Sequence, residues 1–170
     1  MQNTHAAYLK AYLVTLLLLF LWMLGPMIPW VLDEGGSVVW RFQYRYLCHQ
    51  MPDRCFRMHG IPMAVCERCF GIYAGLFVGG LFYWPLKKWD HFLLLKARWL
   101  VGLAACLMFL DWLGPIISLW GNDWLTRSGT GFVLGIVCGY FAAKGMLQLI
   151  LEIKRIKWHL LFSKPNQKKT

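Results

Sequence analysis

Charge is scarce in this chain. Asp, Glu, Lys and Arg make up 15% of its 170 residues, and only 8 of them are acidic against 18 Lys and Arg. So low a charged fraction, with 58% hydrophobic residues and a mean hydropathy of +0.46, excludes a disordered segment and an ordinary soluble domain. Four apolar stretches of roughly 20 residues take up about half the length, which leaves no room for a separate soluble domain. The basic excess does not signal nucleic acid, because Lys and Arg flank apolar runs, and no nucleic-acid partner is expected. A secreted disulfide framework is excluded as well: two of the 6 cysteines, Cys106 and Cys138, fall inside apolar runs.

What remains is the composition of a polytopic membrane protein. Apolar runs over about 6–32, 65–86, 99–120 and 130–151 each approach the length a bilayer core requires. The expected fold is therefore all-α, a bundle of four transmembrane helices forming one membrane domain over residues 1–170. Gly25-Pro26 and Pro29 should kink or end the first helix. They also make a poor cleavage site, so a retained anchor is expected rather than a signal peptide. Trp30, Trp40, Trp84, Trp89, Trp99, Trp120, Trp124 and Trp158 fall at or just beyond these ends, where an amphipathic ring prefers the headgroup level.

Positive charge sets the orientation. Lys10, Lys87, Lys88, Lys96, Arg98, Lys154, Arg155, Lys157, Lys164, Lys168 and Lys169 make eleven on one face, against five on the other: Arg41, Arg45, Arg54, Arg57 and Arg127. Both termini are thus expected in the cytoplasm and the loop at 33–63 outside, in a multi-pass protein of the inner (plasma) membrane. The basic tail, residues 152–170, reads as a stop signal in contact with anionic lipid and contains nothing catalytic. Gly71, Gly75 and Gly79 recur every fourth residue in the second span, as do Gly131, Gly135 and Gly139 in the fourth. Such stripes let helix backbones approach, either between these two helices or across a homo- or hetero-oligomer.

The outer loop carries the chemistry. Cys48, His49, His59, Cys66 and Cys69 place five soft or borderline ligands within 22 residues. Cys66 and Cys69, at i and i+3 on the first turn of the second helix, share a face, with Tyr73 one turn below. The helix N-terminus and nearby Arg54 and Arg68 favour thiolates there. Thiolates at this spacing bind zinc or iron, with Cys48 and either His49 or His59 completing the set. They can instead cycle as a redox disulfide, with Cys48 and Cys55 exchanging and a quinone as electron acceptor. The lack of a second Cys-x-x-Cys keeps both readings open.

Cys48-His49-Gln50, then Pro52-Asp53-Arg54, then Cys66-Glu67-Arg68-Cys69-Phe70-Gly71-Ile72-Tyr73 resemble the signature of an uncharacterised family of small predicted prokaryotic membrane proteins. That signature reads Cys-His-Gln, a Pro-x-Arg step, then Cys-x-Arg-Cys-x-Gly-x-Tyr. The similarity extends over roughly residues 40–140, through Asp111 and the segment 122–131. It implies a four-helix membrane protein and no particular activity. By the same resemblance Cys55 stands where the family carries a small hydroxyl residue, apart from any shared site.

Asp111 falls near the middle of the third span, where an ionised carboxylate costs roughly 2.5–3.5 kcal/mol and needs a partner or a wet cavity. Arg127 is its expected partner and Arg68 the second choice, while Lys144 is expected to snorkel. The segment at 122–130 returns to the face that bears the cysteine loop. An outward-opening pocket follows, with Asp111, Arg127, Arg68 and Tyr73 as candidate catalytic groups beside the metal ligands. A lipid or isoprenoid phosphate drawn from the bilayer is the expected ligand class. The other class of function is a non-catalytic assembly subunit built on the glycine faces.

Overall fold

The structure is a computed structural model that describes residues 2–162, with side chains described over 6–154. The end of the basic tail, including Lys164, Lys168 and Lys169, lies outside the described residues, as do the side chains of Arg155, Lys157 and Trp158.

Helix α1 (Gln2–Leu24) is built on an unbroken leucine-rich stretch and gives way at Gly25–Trp30 to a 3-10 segment. The change falls at Gly25-Pro26 and Pro29, because a prolyl nitrogen donates no hydrogen bond. Residues 33–63 are more ordered than a loop. Asp33 caps α2 (Glu34–Tyr44), accepting from the Gly36 N–H at 3.2 Å. Farther on, β1 (Arg57–Met58) and β2 (Ile61–Pro62) form a minimal antiparallel hairpin. His59 and Gly60 turn it with φ of +50° and +82°, as a tight hairpin demands. Two indole N–H groups tie this layer down: Trp40 donates to the Gly25 carbonyl at 2.9 Å and Trp30 to the Ile61 carbonyl at 3.1 Å.

Beyond the hairpin, α3 (Glu67–Leu86) passes through one 3-10 turn, Lys87–Trp89, into α4 (Asp90–Ile116), and α5 (Trp124–Phe162) is the last element among the described residues. Three helical runs among the described residues are long and apolar enough to cross a membrane: Ala6–Trp30, Glu67–Ile116 and Trp124–Lys154. The middle run is folded double. Laid straight, it would hold Arg68 and Asp111 about 65 Å apart, yet the two side chains form an ion pair. The result is four long helices, α1, α3, α4 and α5. Helix α4 starts at Asp90 rather than near 99, and α5 starts at Trp124 rather than near 130 and runs on to Phe162. Lys, Arg and Leu in these extensions are good helix formers, so the helices outrun the apolar runs that mark them in the sequence.

The glycine stripes face each other. A Cβ on Gly75 would lie 2.8 Å from the Gly135 Cα, and one on Gly71 or Gly79 would strike the backbone of Ser128 or Ile136. Helices α3 and α5 therefore run parallel with their backbones in contact, and the choice between an internal and an intermolecular use of the stripes resolves to the internal one. Helix α1 packs antiparallel on α3, with Phe20 on Phe77 at 5.3 Å and Trp22 on Tyr73 at 5.9 Å between ring centroids. Helix α4 packs on α5 but scarcely approaches α3. Lys144 does not snorkel: it meets Asp90 at 2.5 Å, and the Tyr140 hydroxyl donates to the same carboxylate at 3.0 Å. The N-terminus of α1 and the turn at Lys87–Trp89 mark the tyrosine end of the bundle, and the starts of α3 and α5 mark its cysteine end.

Candidate metal centre and polar cavity

Three thiols meet where the chain leaving α2 returns to the start of α3. The Cys48 N–H donates to the Tyr44 carbonyl at 3.0 Å, and Gln50 follows with φ of +50°. The Gln50 amide then donates to the Ala64 carbonyl at 2.7 Å, fastening the loop against the approach to α3. Cys66 is the N-cap residue of α3 and Cys69 lies on its first turn, with their sulfurs 3.5 Å apart. The Sγ atoms of Cys48, Cys66 and Cys69 all lie within 4.8 Å of one another, and the group can hold a metal ion. A tetrahedral zinc with Zn–S bonds of ~2.3 Å needs sulfurs ~3.8 Å apart, so small rotations of the side chains suffice.

Electrostatics favour a thiolate at Cys48. The Cys66 and Cys69 side chains hydrogen-bond to it, the Cys66 and Gln50 amides donate at 3.2 and 3.4 Å, and together they hold its pKa well below the usual thiol range. Met63 and Val65 back the cluster, with Tyr44, Phe70 and Tyr73 packed around them. Cys55 stands apart. Its thiol donates to the Met51 carbonyl at 3.2 Å, and burial pushes its pKa up to about 11. All six cysteines are free.

Of the two candidate histidines, His49 lines the cavity beside Cys66 and Cys69. His59 sits exposed at the hairpin turn, outside the thiol group. The positive φ shared with Gly60 suits it to that turn, which accounts for its position. Tyr73 lies one turn below Cys69 as the spacing requires, but it packs behind the thiols against Trp22 and not on the cavity wall.

The charged groups pair differently from the sequence expectation. Asp111, only 8% exposed, takes Arg68 as its partner, and Asn122 donates to its carbonyl oxygen at 3.0 Å. Arg127 instead meets Glu67 at 2.9 Å and the Asn122 side-chain oxygen at 3.0 Å. The helix directions explain the exchange. Parallel α3 and α5 bring their first turns, Glu67 and Arg127, side by side, whereas antiparallel α4 brings Asp111 opposite Arg68. Glu67 is the residue that sequence reasoning missed; its signal was an acidic side chain on the first turn of a membrane helix.

These elements enclose a cavity of about 320 Å³. Its polar lining is His49, Arg54, Cys66, Arg68, Cys69 and Arg127, and its apolar lining is Met51, Ile72, Met108 and Trp112. A second hollow of about 260 Å³ shares Arg54, Arg68 and Trp112 with it and reaches Asn122. Among the described residues no carboxylate lines either one; Asp111 and Glu67 pair with the guanidinium groups of Arg68 and Arg127.

Comparison with known proteins agrees with a helical membrane protein. Residues 48–141, which contain the three thiols, both ion pairs and the glycine stripes, match the model of a family described as predicted membrane protein DUF2085. An uncharacterised protein of Methanocaldococcus jannaschii is 33% identical over 152 residues, covering 84% of this chain and 97% of its own length. An uncharacterised protein of Methanothermobacter thermautotrophicus is 31% identical over 113 residues, covering 65% of this chain and 96% of its own. No solved structure matches. The chain belongs to the DUF2085 family of predicted membrane proteins.

Proposed function

We propose that this protein is a four-span membrane protein in which zinc, or iron in its place, is held by Cys48, Cys66 and Cys69 at the outer mouth of a polar intramembrane cavity that receives a lipid-soluble anion. The observation that carries the reading is the convergence of three thiols within 4.8 Å, one from the loop after α2 and two from the start of α3, of which Cys66 and Cys69 lie on the wall of an arginine-lined cavity. No other Cys, His, Asp or Glu among the described residues joins them. A tetrahedral ion would then keep one position for His49 after a side-chain rotation, or for a ligand arriving through the cavity, and a bound metal supplies Lewis acidity there. Arg68 and Arg127, each backed by a buried carboxylate, orient and neutralise an anion.

The four-span count rests on the reversal of the chain at Lys87–Trp89, which returns α4 to the end where α3 begins and brings Asp111 to Arg68. The basic residues at the tyrosine end, Lys10, Lys87, Lys88, Lys96 and Arg98, support a direction with both termini in the cytoplasm of a plasma-membrane protein. The sulfurs of Cys66 and Cys69, 3.5 Å apart, also suit a dithiol that passes electrons to a quinone. An assembly subunit built on the glycine faces has less support, because those faces occupy each other.

Plasma mass spectrometry on protein purified in detergent, without chelators or metal resin, decides among these. About one equivalent of zinc or iron, lost in Cys66→Ser/Cys69→Ser, is the expected result. Absence of metal, with both thiols titrating as a reducible pair, would overturn the metal reading in favour of the redox one.

A further inference from the structure

From the arrangement of the cavity and the gap between α3 and α4 we infer that the ligand is a single-chain amphiphile with a phosphate headgroup, bound with the phosphate on Arg54 and Arg68 and the chain lying in that gap. The inference deepens the reading above and rests on it for the location of the site, though not for the presence of a metal.

Three observations point to the headgroup. Arg54 projects into both hollows and has no ion-pair partner among the described residues, whereas Arg68 and Arg127 are each matched by a carboxylate. The Nε of Arg68 is buried without a hydrogen-bond partner, which is costly for a guanidinium donor unless a ligand accepts from it. The N-termini of α3 and α5 lie at this end of the bundle, adding two positive dipole ends to the same space. Several forked donors converging from different elements suit a phosphate with three acceptor oxygens better than a carboxylate.

The chain follows from the path beneath. Ile72 lies one turn deeper than Arg68 on α3 and Met108 about one turn deeper than Asp111 on α4, so the lining changes from charged to apolar with depth. Leu86 stands about five turns along α3 from Arg68 and therefore on the same face. At that far end Phe82, Leu86, Leu93, Leu100 and Val137 line an apolar hollow of about 370 Å³. Between the two cavities α4 stands off α3 while packing on α5. A hydrocarbon chain entering sideways from the bilayer fits that seam with its phosphate among the arginines.

The test is calorimetric titration of the full chain in phosphatidylcholine nanodiscs with dodecyl phosphate, with empty nanodiscs as the blank. Inorganic phosphate, dodecanol and laurate serve as comparison probes. The expected result is saturation near one dodecyl phosphate per chain, with inorganic phosphate and laurate each weaker by about tenfold or more. Arg54→Gln, on an exposed segment that tolerates substitution, should weaken dodecyl phosphate by about tenfold, and Met108→Trp, which fills the seam, should weaken it without changing inorganic phosphate. No saturable binding, equal binding of laurate, equal binding of inorganic phosphate, or an Arg54→Gln protein that binds like wild type would each overturn the inference. Metal content measured on the same samples separates the two claims: binding without metal removes the metal reading alone, and metal without binding removes this one alone.

Discussion

The two ends of the bundle are both polar, both partly buried and differently finished. At the tyrosine end the Tyr8 and Tyr83 hydroxyls meet at 2.8 Å, and Tyr12 donates to the Gly80 carbonyl at 3.2 Å. Tyr140 and Lys144 share Asp90, and Lys87 rests 4.1 Å from the Tyr8 ring centre. Ala143 and Leu147 close the space behind them. At the cysteine end two carboxylate–guanidinium pairs surround an open cavity, two guanidinium nitrogens, the Nε atoms of Arg41 and Arg68, lack a partner, and three thiols meet without forming a disulfide. Polar groups satisfied by one another and sealed by apolar packing serve stability. Polar groups left incomplete around a space serve a ligand.

The strongest way to break the comparison is to damage what both ends share. Gly75→Leu sets a side chain where the Gly135 Cα lies 2.8 Å from a Cβ and cannot be accommodated unless α3 and α5 separate. It should abolish the folded state, seen as loss of a monodisperse peak in detergent chromatography. Asp111→Asn should come next. It leaves Arg68 as a buried unpaired charge, at a cost of about 3–5 kcal/mol in thermal unfolding, together with loss of anion binding. Asp90→Asn, its counterpart at the tyrosine end, removes a pair that water partly screens and should cost about 1 kcal/mol while leaving metal content and anion binding intact. If Asp90→Asn emptied the metal site as Asp111→Asn disturbs anion binding, the division between the ends would be wrong.

A finer test lies within the cysteine end. Only a thiolate is alkylated, and a thiol is protonated below its pKa. Cys48, held low by its hydrogen bonds, should label in metal-stripped protein at a rate nearly independent of pH around neutrality. Cys55, pushed up to about 11, should label slowly and gain about tenfold per pH unit. Peptide mass spectrometry over a pH series reads both. The smallest effect should come from Cys106→Ser, exposed on α4, which should alter neither metal content nor stability measurably.

Much of this was legible in the sequence, because hydropathy and residue spacing are local signals. The Leu-rich and Gly-rich runs announce the long helices, and the four-residue glycine register announces a close contact, though not its partner. Cys66 and Cys69 at i, i+3 on a helix start predict neighbouring sulfurs, and Cys48 joins them once the family resemblance sets the nearer Cys55 apart. What escaped is set by chain direction and turn geometry. Whether Asp111 meets Arg127 or Arg68 depends on which helices run parallel, and no single span records that. His59 carries a ligand's chemistry, but its backbone is committed to a hairpin turn, so ligand type alone misplaces it. The α2 helix was hidden inside a segment read as loop, although Asp33 and the apolar residues Val38, Val39 and Phe42 carried its cap and its face.

The central claim is that Cys48, Cys66 and Cys69 form one metal centre that excludes Cys55. Metal content of Cys48→Ser and Cys55→Ser proteins, purified side by side and measured by plasma mass spectrometry, tests it most directly. The account predicts near-complete loss of the metal in Cys48→Ser and an unchanged equivalent in Cys55→Ser; equal metal in both proteins, or loss from Cys55→Ser alone, would contradict it.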